Sequence, residues 1–204
     1  MSQTSNPVRP QVFDETGDLQ LLVGKRRVPC KVCSKALARS SPVFKAMLFG
    51  QFAEAKSKAS NGGWVVELPD DEVNSMLYIF NIIHDHVDRI SRDLPGDDEY
   101  GETFIRSEPH KRYSLYPCSK MEFLYLLTRA ADKYQVLRLF KPWAKDWLAA
   151  VREVKMGASG WSCEVLWAAW LLGDEELLRQ HLMALSCGPT PTHSCMNTTD
   201  AERS

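Results

Sequence analysis

Between Val32 and Leu48 the chain reads VCSKALARSSPVFKAML, and the pair Ser41-Pro42 at its centre constrains the fold more than any other two residues. A serine hydroxyl is a good helix N-cap. Proline at the first helical position lacks only an N–H that would have no intrahelical partner, and its φ is preset. Val43, Phe44, Met47 and Leu48 then fall on one helical face, and Gly50 is expected to end the helix in a left-handed turn. Upstream, Ser34 is expected to cap a short preceding helix through its hydroxyl, with Leu37 pointing inward. Two short helices therefore meet at an abrupt corner. Such a corner is either a catalytic turn exposing Cys33 or Ser34, or a scaffold that builds a surface for another protein.

The elements around it follow from local pattern. Residues 1–16, with Pro7 and Pro10, read as a loose, disordered tail. DLQLLVG and RRVPCKV read as two strands of a hairpin, Leu19, Leu21 and Val23 recurring at period two. A loop over 56–63 leads to the strand WVVEL. Pro69-Asp70-Asp71-Glu72 is expected to place acids in the first turn of a helix, where the dipole favours them, and Val73, Met76, Leu77 and Phe80 form its stripe. Residues 89–118, charged and broken by Pro95, Gly96, Gly101, Pro109 and Pro117, read as an exposed insertion too long for an ordinary connection. Ser119 and Glu122 match a capping box before FLYLLTRAADKY, whose Phe123, Leu124, Leu126 and Leu127 require burial on several sides. A helical period continues from Val136 to Trp147 across Pro142, as a kink or as a fresh start. Residues 162–172 and 174–185 form a helical pair, ended and restarted by Gly173 and Asp174, with Leu177, Leu178, His181 and Leu182 on the inner face. The expected organisation is a main unit over 17–150, a helical extension over 151–186, and a disordered tail over 187–204.

Composition narrows the function classes. The chain has 204 residues, 44% of them hydrophobic, and a net charge of −1, which suits a globular core and argues against nucleic acid as a direct partner. Its densest basic cluster, Lys25-Arg26-Arg27, falls between two apolar runs and reads as a solvated hairpin tip. The first ten residues carry no apolar signal-peptide core, and the longest apolar run, Val165 to Leu172, is far short of a membrane span. An intracellular location, cytoplasm or nucleus, with no membrane partner and reduced thiols, is the expectation. Cys30-x-x-Cys33 has no second pair to complete a zinc site, so no metal or cofactor is expected. His84 and His86, two residues apart, lie on different helical faces and make a poor chelate. VGKRR lacks the glycine and the Ser/Thr of a phosphate loop, and HExxH and GxSxG are absent.

In this order of elements the chain resembles the BTB/POZ domain, fungal type with a helical C-terminal extension. The resemblance is carried by GDLQLLVG, VCSKALARSSPVFKAMLFGQFAEAK, WVVELPDDEVNSMLYIFNIIH and AADKYQVLRLFKPWAKDWL, and Leu37 to Phe44 is its most specific piece. LWAAWLLGDEELL, Leu166 to Leu178, looks like the helical extension. The resemblance implies an α+β fold, a small sheet with a hairpin flanked by a cluster of helices, plus the C-terminal helical pair. It also implies a protein–protein interaction module without catalytic activity. Some members dimerise, some recruit a cullin-type ubiquitin ligase scaffold as substrate adaptors, and some act in transcription through a partner. Many members carry a His and a basic residue where this chain has Cys33-Ser34. In transcriptional members that basic residue forms a charged pocket with an Asp matching Asp18, whereas here Asp18 remains and the basic partner does not. In ligase-recruiting members the scaffold docks around the third helix and the loop after it, which here is the insertion. The candidate protein-interface residues are therefore Asp18, Ser34 and the insertion aromatics Tyr100, Phe104, Tyr113 and Tyr116, since tyrosine buries large area at low rotamer cost. An enzyme using Cys33 as nucleophile is the rival class, and it requires a base nearby.

Overall fold

The hairpin forms as its alternation dictates. Strands β2 (Leu19–Val23) and β3 (Val28–Val32) pair antiparallel, Leu19 opposite Val32 and Val23 opposite Val28. Leu19, Leu21 and Val23 face the core while Gln20 faces solvent. Lys25, Arg26 and Arg27 are exposed at the tip, and Arg27 pairs with Glu67 at 2.6 Å. Gly24 adopts φ 69°, and a Cβ there would meet the Val73 side chain at 2.8 Å, so the turn needs glycine on both counts. The computed structural model describes residues 10–51, 63–95, 119–153 and 163–187. The expected loop over 56–63, except Gly63, and the tail from 188 onward lie outside them.

β4 (Trp64–Leu68) pairs parallel with β2, alternating buried Trp64, Val66 and Leu68 with exposed Val65 and Glu67. A fourth strand corrects the expected tail. β1 (Gln11–Val12) runs parallel to β3, giving the order β1-β3-β2-β4, and Phe13 is buried edge-on against Phe80 at 5.4 Å. A two-residue strand has no periodicity to read, and its partner lies in a remote stretch of chain.

Among the described residues there are seven α-helices. α1 (Ser34–Ser40) and α2 (Pro42–Phe49) meet at Ser41. Its N–H closes α1 on the Leu37 carbonyl at 2.9 Å, and its hydroxyl caps α2 by accepting from Phe44 N–H at 3.0 Å. Two expectations at these helices fail. Ser34 is the first residue of α1 rather than its cap, and Gly50 is extended at φ −84°, ψ −154°. Glycine is required at that stop by a close approach, since a Cβ would lie 2.2 Å from the Ala46 carbonyl oxygen.

α3 (Val73–Ile83) is buried over nearly its whole length. The acids before it stand outside the helix, contrary to the first-turn placement. The Glu72 carboxylate caps it, accepting from Asn74 and Ser75 N–H at 2.8 and 2.7 Å, while Asp71 turns into the core. α4 (Lys120–Lys133) is capped by the Ser119 hydroxyl, which accepts from Glu122 N–H at 3.1 Å, and packs against α3. A 3₁₀ turn (Leu137–Phe140) precedes α5 (Lys141–Glu153), so Pro142 sits in a fresh first turn rather than at a kink.

The expected exposed insertion begins as packed chain. Ile90 and Leu94 are buried, Ser91 accepts the Trp147 indole N–H at 3.1 Å, and Arg92 pairs with Asp146 at 2.6 Å. Residues 96–118 lie outside the described residues. α6 (Cys163–Leu172) packs on α4. Gly173 (φ 77°) turns the chain into α7 (Glu175–Cys187), whose cap, Asp174, accepts from Leu177 N–H at 2.9 Å and from Arg152 of α5 at 2.6 Å. Leu177 is buried as expected, but Leu182 is 51% exposed and off the inner face.

Candidate interaction surface

The corner is held from two sides by residues remote in sequence. On the hairpin side, Asp18 does for α1 what Ser34 was expected to do. One carboxylate oxygen accepts Ser34 N–H at 2.8 Å and the other accepts the Ser34 hydroxyl at 2.7 Å. A carboxylate at the first turn satisfies an orphan N–H and complements the positive end of the helix. Ser34 is 1% exposed, whereas Asp18 is exposed. The structure thus brings these two sequence candidates into one contact in which the serine's polar groups are directed inward. Tyr100, Phe104, Tyr113 and Tyr116 lie outside the described residues.

On the helical side, Ser41 donates its hydroxyl proton to the Tyr134 carbonyl at 2.6 Å, and the Tyr134 ring stacks on Phe44 with centroids 4.3 Å apart. The Tyr134 hydroxyl in turn donates to Asp71 at 2.7 Å, and Lys133 pairs with the other Asp71 oxygen at 2.7 Å. Burial, followed by the Asp71 charge, pushes the Tyr134 hydroxyl well above its usual range, so it stays a donor. None of this network is visible as a motif, since Ser41, Asp71 and Tyr134 are each ordinary capping or core residues by local pattern.

Beside α1 lies a cavity of about 810 Å³, bounded by Phe13, Asp14, Cys33, Arg39, His84 and His86 among others. Here the base that a Cys33 nucleophile would require can be looked for directly. His84 Nδ1 lies 2.9 Å from the Phe80 carbonyl, so it carries the proton and donates, which leaves Nε2 as acceptor. Nε2 accepts the backbone N–H of Cys33 at 3.0 Å. Burial, the largest influence on this ring, lowers its pKa and keeps it neutral. The lone pair that could take a thiol proton is thus directed at the main chain, and His84 acts as a strut between the end of α3 and the start of α1. The sequence shows a helix-end histidine at this position but carries no local sign of the strut.

Cys30 is a core thiol on β3, pushed up to about 12 by burial. Among the described residues no group of three or more His, Cys, Asp or Glu side chains is arranged to hold a metal ion, and no helix is long and apolar enough to cross a membrane.

Fold and site together define a mixed α+β protein in which a four-stranded sheet and a capped two-helix corner are carried by a larger helical layer. The sequence matches no protein-family model, and no curated protein matches it.

Proposed function

We propose that this chain is a protein–protein interaction module of the BTB/POZ type, acting as an adaptor for a partner such as a cullin-type scaffold or a transcriptional complex. One observation carries the reading. The most specific piece of the resemblance, Leu37 to Phe44, coincides with the stretch that the fold uses most fully: Leu37, Ser41 and Phe44 are each 0% exposed. Ser41 there joins two helices and the Tyr134 carbonyl at once. A corner bound this tightly on its inner side is a rigid base for whatever its outer side presents.

Sedimentation velocity of the purified chain, alone and mixed with a purified cullin-type scaffold, tests it. A self-associated species or a stoichiometric complex is the expected result. Affinity purification with quantitative mass spectrometry then compares the parent with a chain deleted for residues 96–114. The deletion starts beyond Leu94 because residues up to that point are packed. A chain that sediments as a monomer, binds no scaffold and retains no stoichiometric partner would overturn the proposal.

A further inference from the structure

Cationic side chains from three separate elements surround one concave surface. Lys35 and Arg39 come from α1, Lys45 from α2 and Arg138 from the turn before α5, and with Ala38, Pro42 and Phe49 they line a cleft of about 570 Å³ that, among the described residues, contains no carboxylate. All four cations are exposed, and among the described residues none of them has an ion-pair partner. The whole chain carries a net charge of −1, so this cleft opposes the sign of the molecule that bears it.

The placement has a cost. Lys35 and Arg39 are like charges at i and i+4 of a seven-residue helix, and Lys35 stands in the first turn, at the positive end of the dipole. A solvated helix face chosen for stability would alternate signs instead. The cleft is also partly preorganised. Arg138 donates to the Ser40 carbonyl at 2.9 Å, which fixes the guanidinium and leaves further N–H groups for a ligand. Phe49, 48% exposed, is held edge-on against Trp64 with centroids 5.7 Å apart.

We infer that this cleft binds a short acidic segment of a partner protein, its carboxylates paired with Lys35, Arg39, Lys45 and Arg138 and an apolar side chain laid on Pro42 and Phe49. Charge decides against the other occupants. A second copy docked two-fold on this face would set the four cations against themselves. A long polyanion tracking over α1 would leave the cleft across Lys35 and Arg39 and enter the neighbouring cavity, where Asp14, Glu15 and Asp85 outnumber Arg89. A short acidic peptide ends before those carboxylates. The inference does not depend on the BTB/POZ reading.

The test is fluorescence anisotropy on the full chain with a labelled peptide of Asp and Glu around a central Phe, beside a counterpart carrying Asn and Gln. The acidic peptide is expected to bind roughly tenfold more tightly or better, and to weaken as salt rises. Arg39→Glu/Lys45→Glu should lose roughly tenfold or more with an unchanged melting temperature, since both residues are exposed. Lys25→Glu/Lys141→Glu, equal in charge change but outside the cleft, should bind as the parent does. Equal binding of the neutral peptide would overturn the site, and so would equal losses in the two double variants. A single-stranded oligonucleotide of matched charge that displaces the peptide more effectively than unlabelled peptide would overturn the protein partner in favour of nucleic acid.

Discussion

The α1–α2 corner and the α6–α7 pair are both two short helices joined by a tight connection, yet they are secured differently. At the corner, Asp18 before β2, His84 at the end of α3 and Tyr134 at the end of α4 each hold it by hydrogen bonds or ring stacking. From Val165 on, α6 is apolar around its circumference, a pattern that ordinarily means burial on all sides, yet Trp167 and Trp170 are 39% and 67% exposed. The pair docks through small residues, Ala168 and Ala169, through Val165 and Leu177, and through the Arg152–Asp174 contact. Apolar content alone therefore does not predict how firmly a helix is fastened; the number of directions from which it is held does.

The sharpest way to break this comparison is a pair of aromatic truncations followed by urea denaturation. Phe44→Ala should cost ~3–5 kcal/mol, as fully buried aromatics do, and Trp170→Ala should stay within about 0.5 kcal/mol of the parent. Similar values for the two would mean that the corner is no better fastened than the helical pair. Next in size is Asp71→Ala, which leaves the buried Tyr134 hydroxyl without its acceptor and should cost about 1–3 kcal/mol. Tyr134→Phe made in the same background should recover part of that loss, and a double-mutant cycle showing no coupling would remove Asp71 from the network.

A smaller effect separates the two ends of the Asp18–Ser34 contact. Ser34→Ala removes one hydrogen bond and should cost about 1 kcal/mol, whereas Asp18→Ala removes both and the charge at the helix start and should cost more, about 1–2 kcal/mol. The reverse order would restore Ser34 as the cap. The smallest effect is the pH response of the strut. His84 is held neutral, its pKa below the ordinary 6.5, chiefly by burial. As pH falls the unfolded chain therefore takes up the proton first. The strut's contribution is complete above the unfolded value and declines as pH drops below it towards the folded one. Thermal melts between about pH 7 and about pH 5 should fall more steeply for the parent than for His84→Gln, and parallel curves would show that the ring is not carrying this load.

What could be read in advance is what is encoded locally. The hairpin alternation, the Ser41-Pro42 start, the α3 stripe, the Ser119 cap and the Gly173-Asp174 turn each need only a few neighbouring residues, and each stands where its pattern places it. Apart from the extended Gly50 and the acids that stop short of α3, the misses are non-local. β1 needs β3, the α1 cap comes from Asp18 on the hairpin side, Asp71 works through α4 and its C-terminal end, and His84 reaches Cys33 through space. The basic cleft shows the same limit. Lys25-Arg26-Arg27 is the densest cationic run in the sequence, yet it forms only a hairpin tip, while the cleft gathers Lys35, Arg39, Lys45 and Arg138, none of which is adjacent to another.

The parallel pairing of β2 with β4 also sets an order of events during synthesis. The β2–β3 hairpin can close once Val32 has left the ribosome, but the other edge of β2 has no strand to receive until Leu68 emerges, after both helices of the corner have been made. Closing so long a loop is slow relative to hairpin formation, so a nascent chain passes through an interval in which Leu19, Leu21 and Val23 lie on a sheet edge not yet covered. The Ser41-Pro42 corner has its local start signals within that interval, but Tyr134, which holds it from the helical side, emerges later still. A lesion at Ser41 should therefore appear first as aggregation during expression, before it appears as a lower melting temperature of whatever protein survives.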